Sequence, residues 1–390
     1  MIQARTAYTA EIDDPEAAAR DILRQLALGG ALRASSIGFL SCYTEFTQTG
    51  AAKAICEALP FPVIGMTTAG AAVPAGLGEL GLSIMVLTSD EAVFAAGVSG
   101  SLLKEPPEYA LEKAYRAARA ALPREPALMI VFAPILKEIT GERILRILTA
   151  MNPGLPVFGA QAVDYIDINL FSKSFTLFNG ENRRDALSFA LVCGEIRPSF
   201  FVHSISTIHI QKQRALITKA SGNQVMEVNG MLFRDYLEKI GMLGLSEGAA
   251  MSFPFVVDYG DTFLSVPRAV YSMTREGHAI FSGSMPEGAT LAIGDIDYTD
   301  VLHTAKEALS NIIREGGSCV LFFSCLIRYM ALGPDTVAEM ELLRSTMRDA
   351  QNAPPYLFSY TGGEFCPVYS GKERAFINRC HYCSFICCVF

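Results

Sequence analysis

The sequence predicts an α/β protein built from repeated αβαβ units in mostly parallel sheets, with antiparallel strands in the middle of the chain. Three observations support this fold class: an internal repeat, strands that are apolar on both faces, and turn-forming dipeptides between residues 165 and 295. Strands that are buried on both faces and alternate with amphipathic helices are typical of sheets covered by helices. We therefore expect helices to cover the sheets.

Three segments of the chain each pass through a helix, an apolar strand, a second helix and a strand that begins with proline. The first strands of these units are at residues 36–42, 128–134 and 319–325. The proline-led strands are at residues 62–70, 156–162 and 355–363. Polar residues follow these strands, and in open α/β sheets ligands bind outside the carboxyl ends of the strands. The repeat therefore predicts where a ligand site would lie.

Residues 165–295 follow a different pattern. Asn179-Gly180 and Asn229-Gly230 favour positive φ angles and reverse the chain, which predicts antiparallel strands. An amphipathic stretch at residues 231–240 predicts one helix within this region. A second strand, turn and helix series begins near Ala215, so we predict two domains, at residues 1–215 and 216–390.

Composition argues against several classes of protein. Of the 390 residues, 51% are hydrophobic and only 18% are charged, which excludes a largely disordered chain. The 32 Lys and Arg against 40 Asp and Glu give a net charge of -8, which does not favour nucleic acid as a partner. The longest apolar runs are about ten residues, half of what a bilayer requires. Since no signal peptide is visible at the N-terminus, we expect a cytoplasmic protein with no membrane partner.

Ten cysteines, most of them in the last part of the chain, are another feature of the composition. Without a signal peptide they are interpreted as reduced thiols. Cys380 and Cys383 have the spacing of a zinc-binding pair, but the alternation along residues 380–389 favours a buried closing strand. The five histidines lack the spacing of a zinc site, so we expect no metal.

Four short motifs in a fixed order resemble the FIST family, bacterial sensory proteins that pair a FIST N domain with a FIST C domain. The motifs are PVIGMTTAG at 62–70, FSCLIR at 323–328, YTGGEF at 360–365 and FINR at 376–379. Residues 223–236 are similar to the segment that joins the two domains in the family. The resemblance implies that residues 1–215 form the FIST N domain and residues 216–390 the FIST C domain.

The motifs also supply candidate ligand-binding residues. Arg328 would bind a carboxylate and Glu364 an amine, while the two glycines before Glu364 let backbone amides approach a ligand. Each candidate has a structural alternative, such as a buried Cys at the end of a strand, an Arg that caps carbonyl groups, or a Thr in a local turn. The full set is Thr67, Thr68, Cys325, Arg328, Tyr360, Gly362, Gly363, Glu364 and Asn378. If the third unit forms the pocket, Cys325 and Arg328 must lie next to residues 360–364.

The resemblance implies a small-ligand sensor rather than an enzyme, with an amino acid or similar metabolite as its ligand. The signal would pass to a separate histidine kinase, chemoreceptor or cyclic-dinucleotide enzyme, because no output motif is visible in the chain. Two alternatives remain open. One is a haem-binding nitric oxide sensor of the same family, with His or Cys as the iron ligand. The other is an enzyme in which Cys325 is a nucleophile assisted by Arg328 and His381.

Overall fold

The computed structural model describes residues 2–164, 174–242, 254–259, 266–370 and 375–390, and within them it confirms an α/β fold. None of the helices in these ranges is long and apolar enough to cross a membrane. The helices are, in chain order, α1 (Pro15–Leu26), α2 (Glu45–Gln48), α3 (Ala51–Glu57), α4 (Pro107–Ala120), α5 (Gly141–Met151), α6 (Phe233–Lys239), α7 (Tyr298–Glu315), α8 (Leu326–Ala331) and α9 (Ala338–Asp349).

The strands belong to four sheets. Those up to residue 193 are β1 (Gln3–Thr9), β2 (Ser35–Cys42), β3 (Val63–Thr67), β4 (Ala71–Val73), β5 (Gly76–Gly78), β6 (Leu82–Ser89), β7 (Val93–Val98), β8 (Leu128–Ala133), β9 (Val157–Gln161), β10 (Thr176–Phe178), β11 (Glu181–Arg183) and β12 (Ser188–Cys193). The later strands are β13 (Ser199–His203), β14 (Ala215–Ser221), β15 (Gln224–Val228), β16 (Met231–Leu232), β17 (Phe255–Asp258), β18 (Val266–Arg268), β19 (Val270–Met273), β20 (Ala279–Phe281), β21 (Thr290–Ile293), β22 (Val320–Cys325), β23 (Tyr356–Thr361), β24 (Glu364–Ser370), β25 (Ala375–His381) and β26 (Phe385–Val389).

Helix starts follow from local sequence. The carboxylate of Asp14 accepts a hydrogen bond from the backbone N–H of Ala17 (2.9 Å), and Pro15 occupies the first helical position of α1. The hydroxyl of Thr140 caps α5 in the same way. Asp297 caps α7. Each of the three repeated units therefore contains a helix whose start is fixed by its own sequence.

The predicted repeat is present three times. Each unit contributes one parallel pair of strands, β2 with β3, β8 with β9, and β22 with β23. The expectation of mostly parallel sheets is wrong, because the first strand of every pair also lies beside an antiparallel strand, which is β6, β12 or β26. An outer strand, β1, β7 or β13, then pairs antiparallel with that strand. Each unit is therefore a mixed four-stranded sheet with the same order.

The three sheets exchange hairpins in a cycle. The hairpin that follows β3, formed by β4 and β5, joins the sheet of the third unit by pairing with β23. The hairpin β10–β11, which comes after β9, joins the first unit at β3. The hairpin β24–β25, which follows β23, joins the second unit at β9. Each unit thus gives a hairpin to one neighbour and receives one from the other.

The units share a core where their first strands meet. The ring centroids of Phe39 and Phe132 are 6.4 Å apart, and those of Phe132 and Phe323 are 5.8 Å apart. All three rings are fully buried, and each comes from a different unit. The burial of aromatic side chains from all three sheets is a large source of stability, since each ring removes a large apolar area from water.

The middle of the chain forms a separate antiparallel sheet, as predicted. Among the residues that the structure describes, it contains the eight strands β14–β21, and it lies in sequence between β13 and α7, so it is an insertion into the third unit. Its own core packs Phe233 of α6 against Phe255 and Phe281, with ring centroids 5.5 to 5.8 Å apart. The predicted helix at 231–240 corresponds to α6.

Candidate functional site

The three turns that follow β3, β9 and β23 contact one another. We call residues 67–70, 161–163 and 361–363 the central junction. The backbone N–H of Val163 donates to the carbonyl of Thr67 (3.1 Å), and that of Gly362 donates to the carbonyl of Gln161 (2.9 Å). These bonds link the three units directly, so the predicted strand-end residues of different units do come together.

The hydroxyls of Thr67 and Thr68 are used inside the protein. Both residues are fully buried. The hydroxyl of Thr68 donates to the carbonyl of Tyr360 (2.7 Å), which ties the first unit to the third. The hydroxyl of Thr67 accepts from the backbone N–H of Phe175 (2.9 Å). The two hydroxyls therefore bond to the backbone of the protein, at Tyr360 and at Phe175.

Gly362 and Gly363 permit a close approach between two units. A Cβ atom at Gly362 would lie 2.1 Å from the Cδ1 atom of Ile135 and 2.8 Å from a methyl group of Val163. A Cβ atom at Gly363 would lie 2.7 Å from the side-chain oxygen of Gln161. The absence of side chains at these two glycines therefore leaves room for Ile135, which follows β8, and for the end of β9 and the turn after it.

Cys325 and Glu364 lie side by side, as the repeat predicted for the two strand ends. Cys325 is opposite Thr361 in the parallel register of β22 and β23. The hydroxyl of Thr361 donates to the Oε1 atom of Glu364 (2.7 Å), while the Oε2 atom has no hydrogen-bond partner among the described residues. Burial, followed by the nearby thiol of Cys325, raises the pKa of Glu364 well above its usual value. Burial therefore disfavours the ionised form of this carboxyl group.

Arg328, a candidate for binding the carboxylate of a ligand, is buried and paired with a carboxylate of the protein itself. Its Nη2 atom lies 2.5 Å from the carboxylate of Glu339, and neither side chain is exposed. The same guanidinium donates to the hydroxyl of Thr304 (2.9 Å) and the carbonyl of Val301 (2.9 Å). Arg328 lies on α8 and therefore joins this helix to α7, which supplies Thr304 and Val301, and to α9, which supplies Glu339.

Tyr360 is also fully buried, with its ring edge-to-face against Tyr329 (5.0 Å between centroids) and Phe358 (4.9 Å). Its hydroxyl has no hydrogen-bond partner among the described residues. Burial raises the pKa of Tyr360 well above its usual value. The ring is part of the third unit's core.

The enzyme hypothesis for Cys325 requires a thiolate and an available base. Burial, together with the adjacent thiol of Cys383, raises the pKa of Cys325. The pKa of His381 is lowered to about 3 by burial, and its Nε2 atom is 3.2 Å from the carbonyl oxygen of Cys366. Arg328 already neutralises Glu339. These surroundings favour a neutral thiol, the opposite of what a nucleophile needs.

All ten cysteines are free and buried. The residues expected to form a single closing strand instead form the end of β25, a turn and β26. Cys383 has a positive φ of 54° in that turn. Across the part of the chain that the structure describes, no three His, Cys, Asp or Glu side chains are grouped so that they could hold a metal ion.

Asn378 differs from the other candidates because it borders a cavity. Its side chain accepts from the backbone N–H of Val157 (2.9 Å) and donates to the carbonyl of Leu155 (2.9 Å), which orders the start of β9. The cavity beside it has a volume of about 850 Å³ and lies between α5 and β25. We call this space the α5 cleft.

The walls of the α5 cleft carry more positive than negative side chains. The charged residues that line it are Glu138, Glu142, Arg143, Arg146 and Arg379. Arg143 forms an ion pair with Glu108 outside the cleft (3.4 Å), whereas Arg146 and Glu138 form no ion pair with any described residue. The sequence analysis did not single out Glu142, Arg143 and Arg146, because charged side chains on an amphipathic helix are usually no more than its solvent-exposed face.

A buried ion pair fixes one end of the cleft. The guanidinium of Arg268, on β18, is 1% exposed and forms an ion pair with Glu142, at the start of α5. It also donates to the carbonyl of Cys380 (3.2 Å) and lies over the ring of Tyr382, 5.3 Å from its centroid. The backbone N–H of Ser284 donates to the same carboxylate of Glu142. The antiparallel sheet, the second unit and β25 are therefore connected at this point.

Comparisons with known proteins identify two domains in the chain. The model of the FIST N domain matches residues 36–231, and the model of the FIST C domain matches residues 232–367. No curated protein matches the chain. FIST domains are sensory domains of signal transduction, with ligand-binding rather than catalytic roles. The two matches together cover most of the chain, which therefore belongs to the FIST family.

Proposed function

We propose that the protein is a sensor that binds an amino acid or a similar zwitterionic metabolite in the α5 cleft and signals to a separate partner protein. The observation that carries this proposal is a cleft of about 850 Å³ with unpaired charges of both signs, in a chain of a sensory family. Small-molecule sites usually have volumes of about 300 to 1,000 Å³. The cleft is large enough for a metabolite of this class.

The charges suggest how a zwitterion would be oriented. Arg146 is exposed on α5 and would bind the carboxylate, because a guanidinium matches the geometry of two carboxylate oxygens. Glu138, in the segment before α5, would receive the ammonium group. These two residues replace Arg328 and Glu364 in the roles that the sequence suggested, since Arg328 is already bound to Glu339.

The candidate residues Gly363 and Glu364 do not line the α5 cleft, but buried contacts link them to it. Cys380 lines the cleft, and its sulfur and the side-chain oxygen of Gln161 both lie beside Gly141. Gln161 in turn contacts Gly363, one residue before Glu364. A continuous set of buried contacts therefore runs from the cleft to the central junction and into the third unit. A ligand that moves α5 against β25 would alter these contacts, and a bound kinase, chemoreceptor or cyclic-dinucleotide enzyme would read the change.

A thermal-shift screen with the common amino acids tests the proposal. A ligand present at 100 times its Kd stabilises the folded state by about 2.7 kcal/mol, which is large enough to raise the melting temperature measurably. Arg146→Gln should abolish the shift without changing the melting temperature of the free protein. Arg116→Gln, on the exposed face of α4, is the matched control and should leave the shift intact. If no amino acid shifts the wild type, or if Arg146→Gln responds like the control, the proposed site is wrong.

A further inference from the structure

A second cavity lies in the third unit at the position equivalent to the α5 cleft. Its volume is about 570 Å³, and its lining includes Pro74, Arg344, Arg348, Pro355 and Tyr356. Both cavities are bordered by the second long helix of a unit, by the loop before its second strand, and by the hairpin received from another unit. We call this space the α9 cavity.

The α9 cavity is lined by apolar side chains, by Tyr356 and by two arginines, of which Arg348 forms an ion pair with Asp349 (2.9 Å). Arg344 is exposed and forms no ion pair with any described residue. Tyr356 is 2% exposed, and its hydroxyl is buried without a hydrogen-bond partner among the described residues. Such a hydroxyl costs free energy unless a ligand or water satisfies it. Two of the lining residues, Pro74 and Pro355, offer rigid apolar surfaces.

We propose that the α9 cavity is a second binding site, which takes a small organic molecule with an apolar body and a terminal carboxylate or phosphate. Arg344 binds the oxyanion, the hydroxyl of Tyr356 donates a hydrogen bond to it, and the proline-rich loop before β23 contacts the apolar body. A charge-assisted hydrogen bond is stronger than a neutral one, so the two polar groups favour an anion over a neutral ligand of the same shape. The site is independent of the ligand proposed for the α5 cleft.

Two probes distinguish the sources of the anion. Fluorine NMR would follow 4-fluorobenzoate as the carboxylate, and calorimetry would follow phenyl phosphate. Benzyl alcohol is the neutral control. We expect at least one anion to bind the wild type and benzyl alcohol to bind at least about tenfold more weakly, because only the anions engage Arg344.

Two variants locate the binding. Arg344→Gln should weaken anion binding about tenfold. Tyr356→Phe should weaken it several-fold without lowering the melting temperature, because the lost hydroxyl bonds to none of the described residues in the free protein. Arg116→Gln should bind like the wild type. The inference is overturned if neither anion binds the wild type, or if Arg344→Gln and Tyr356→Phe both bind as well as Arg116→Gln.

Arg146→Gln separates this inference from the proposed function. If Arg146→Gln no longer binds the anionic probe while Arg344→Gln still binds it, the probe occupies the α5 cleft and the inference about the α9 cavity is wrong. If the anion depends on Arg344 but no amino acid binds the protein, the α9 cavity is a site and the proposed function fails instead. Each result identifies which of the two proposals is in error.

Discussion

The guanidinium of Arg328 and the carboxylate of Glu339 lie 2.5 Å apart, and neither side chain is exposed to solvent. Glu339 also accepts a hydrogen bond from the hydroxyl of Ser324 (2.7 Å), so both charged groups are surrounded by partners. A buried ion pair contributes little net stability relative to an apolar pair, but the loss of one member leaves an uncompensated charge. The pair therefore makes the third unit sensitive to single substitutions.

Arg328→Ala should destabilise the folded state by about 3 to 5 kcal/mol, because it leaves Glu339 buried without a counter-charge. Urea unfolding followed by circular dichroism measures the effect. The double variant Arg328→Met with Glu339→Leu should recover much of the loss, since both charges are removed. Arg116→Ala, at an exposed ion pair, should change stability by less than about 1 kcal/mol. An Arg328→Ala protein as stable as the wild type would contradict the structural role.

Glu364→Gln should remove a pH dependence of stability. In the folded protein, Glu364 stays protonated at pH values above its ordinary pKa of 4.5. In the unfolded chain, it releases the proton near pH 4.5. The contribution of Glu364 to stability therefore falls as the pH rises, by up to about 1.4 kcal/mol for each pH unit. Compared with the Gln variant, the wild type should lose stability between about pH 5 and about pH 7. Parallel curves for the two proteins over that range would show that Glu364 is ionised when folded.

The thiols should be unreactive in the folded protein. Every cysteine is buried, and burial raises the pKa of Cys325. Intact-mass measurement after iodoacetamide treatment at neutral pH should show almost no alkylation of the native protein and ten modifications after unfolding in denaturant. Selective and rapid alkylation of Cys325 in the native state would instead support the enzyme hypothesis.

Gly362→Ala should destabilise the protein by about 1 to 3 kcal/mol, because the added methyl group would overlap the side chains of Ile135 and Val163. Gly29→Ala is the matched control. No atom lies within 4 Å of the position of its Cβ, so that substitution should be neutral or slightly stabilising. Equal stabilities for the two variants would mean that the central junction can accommodate an added methyl group without a loss of stability.

The sequence was sufficient to predict the repeat and the neighbourhood of Cys325 and Thr361. Both follow from apolar strands joined by helices, because consecutive strands of such units usually lie side by side. It could not show which sheet each hairpin joins, since alternation of apolar and polar residues determines a strand's faces but not its partner. The cyclic exchange depends on contacts between residues far apart in the chain.

The burial of Arg328 had one visible signal. On α9, Glu339 precedes Leu343 and Met347 at spacings of four and eight residues, so a carboxylate lies on the apolar face of that helix. Such a carboxylate needs a buried cation, and Arg328 is eleven positions earlier in the sequence. The domain boundary predicted after residue 215 stays a prediction, although the FIST N match extends to residue 231.

The exchange of hairpins has a consequence for synthesis on the ribosome. One edge of β9 is completed by β24, which pairs with it through Glu364 and Phe365. While the intervening residues are being made, the nascent chain carries β9 with an unpaired edge, and an unpaired edge can pair with other chains. Release of a chain that stops before residue 364 would leave this edge open permanently. The completed protein therefore depends on translation reaching its last strands before a neighbouring chain occupies their place.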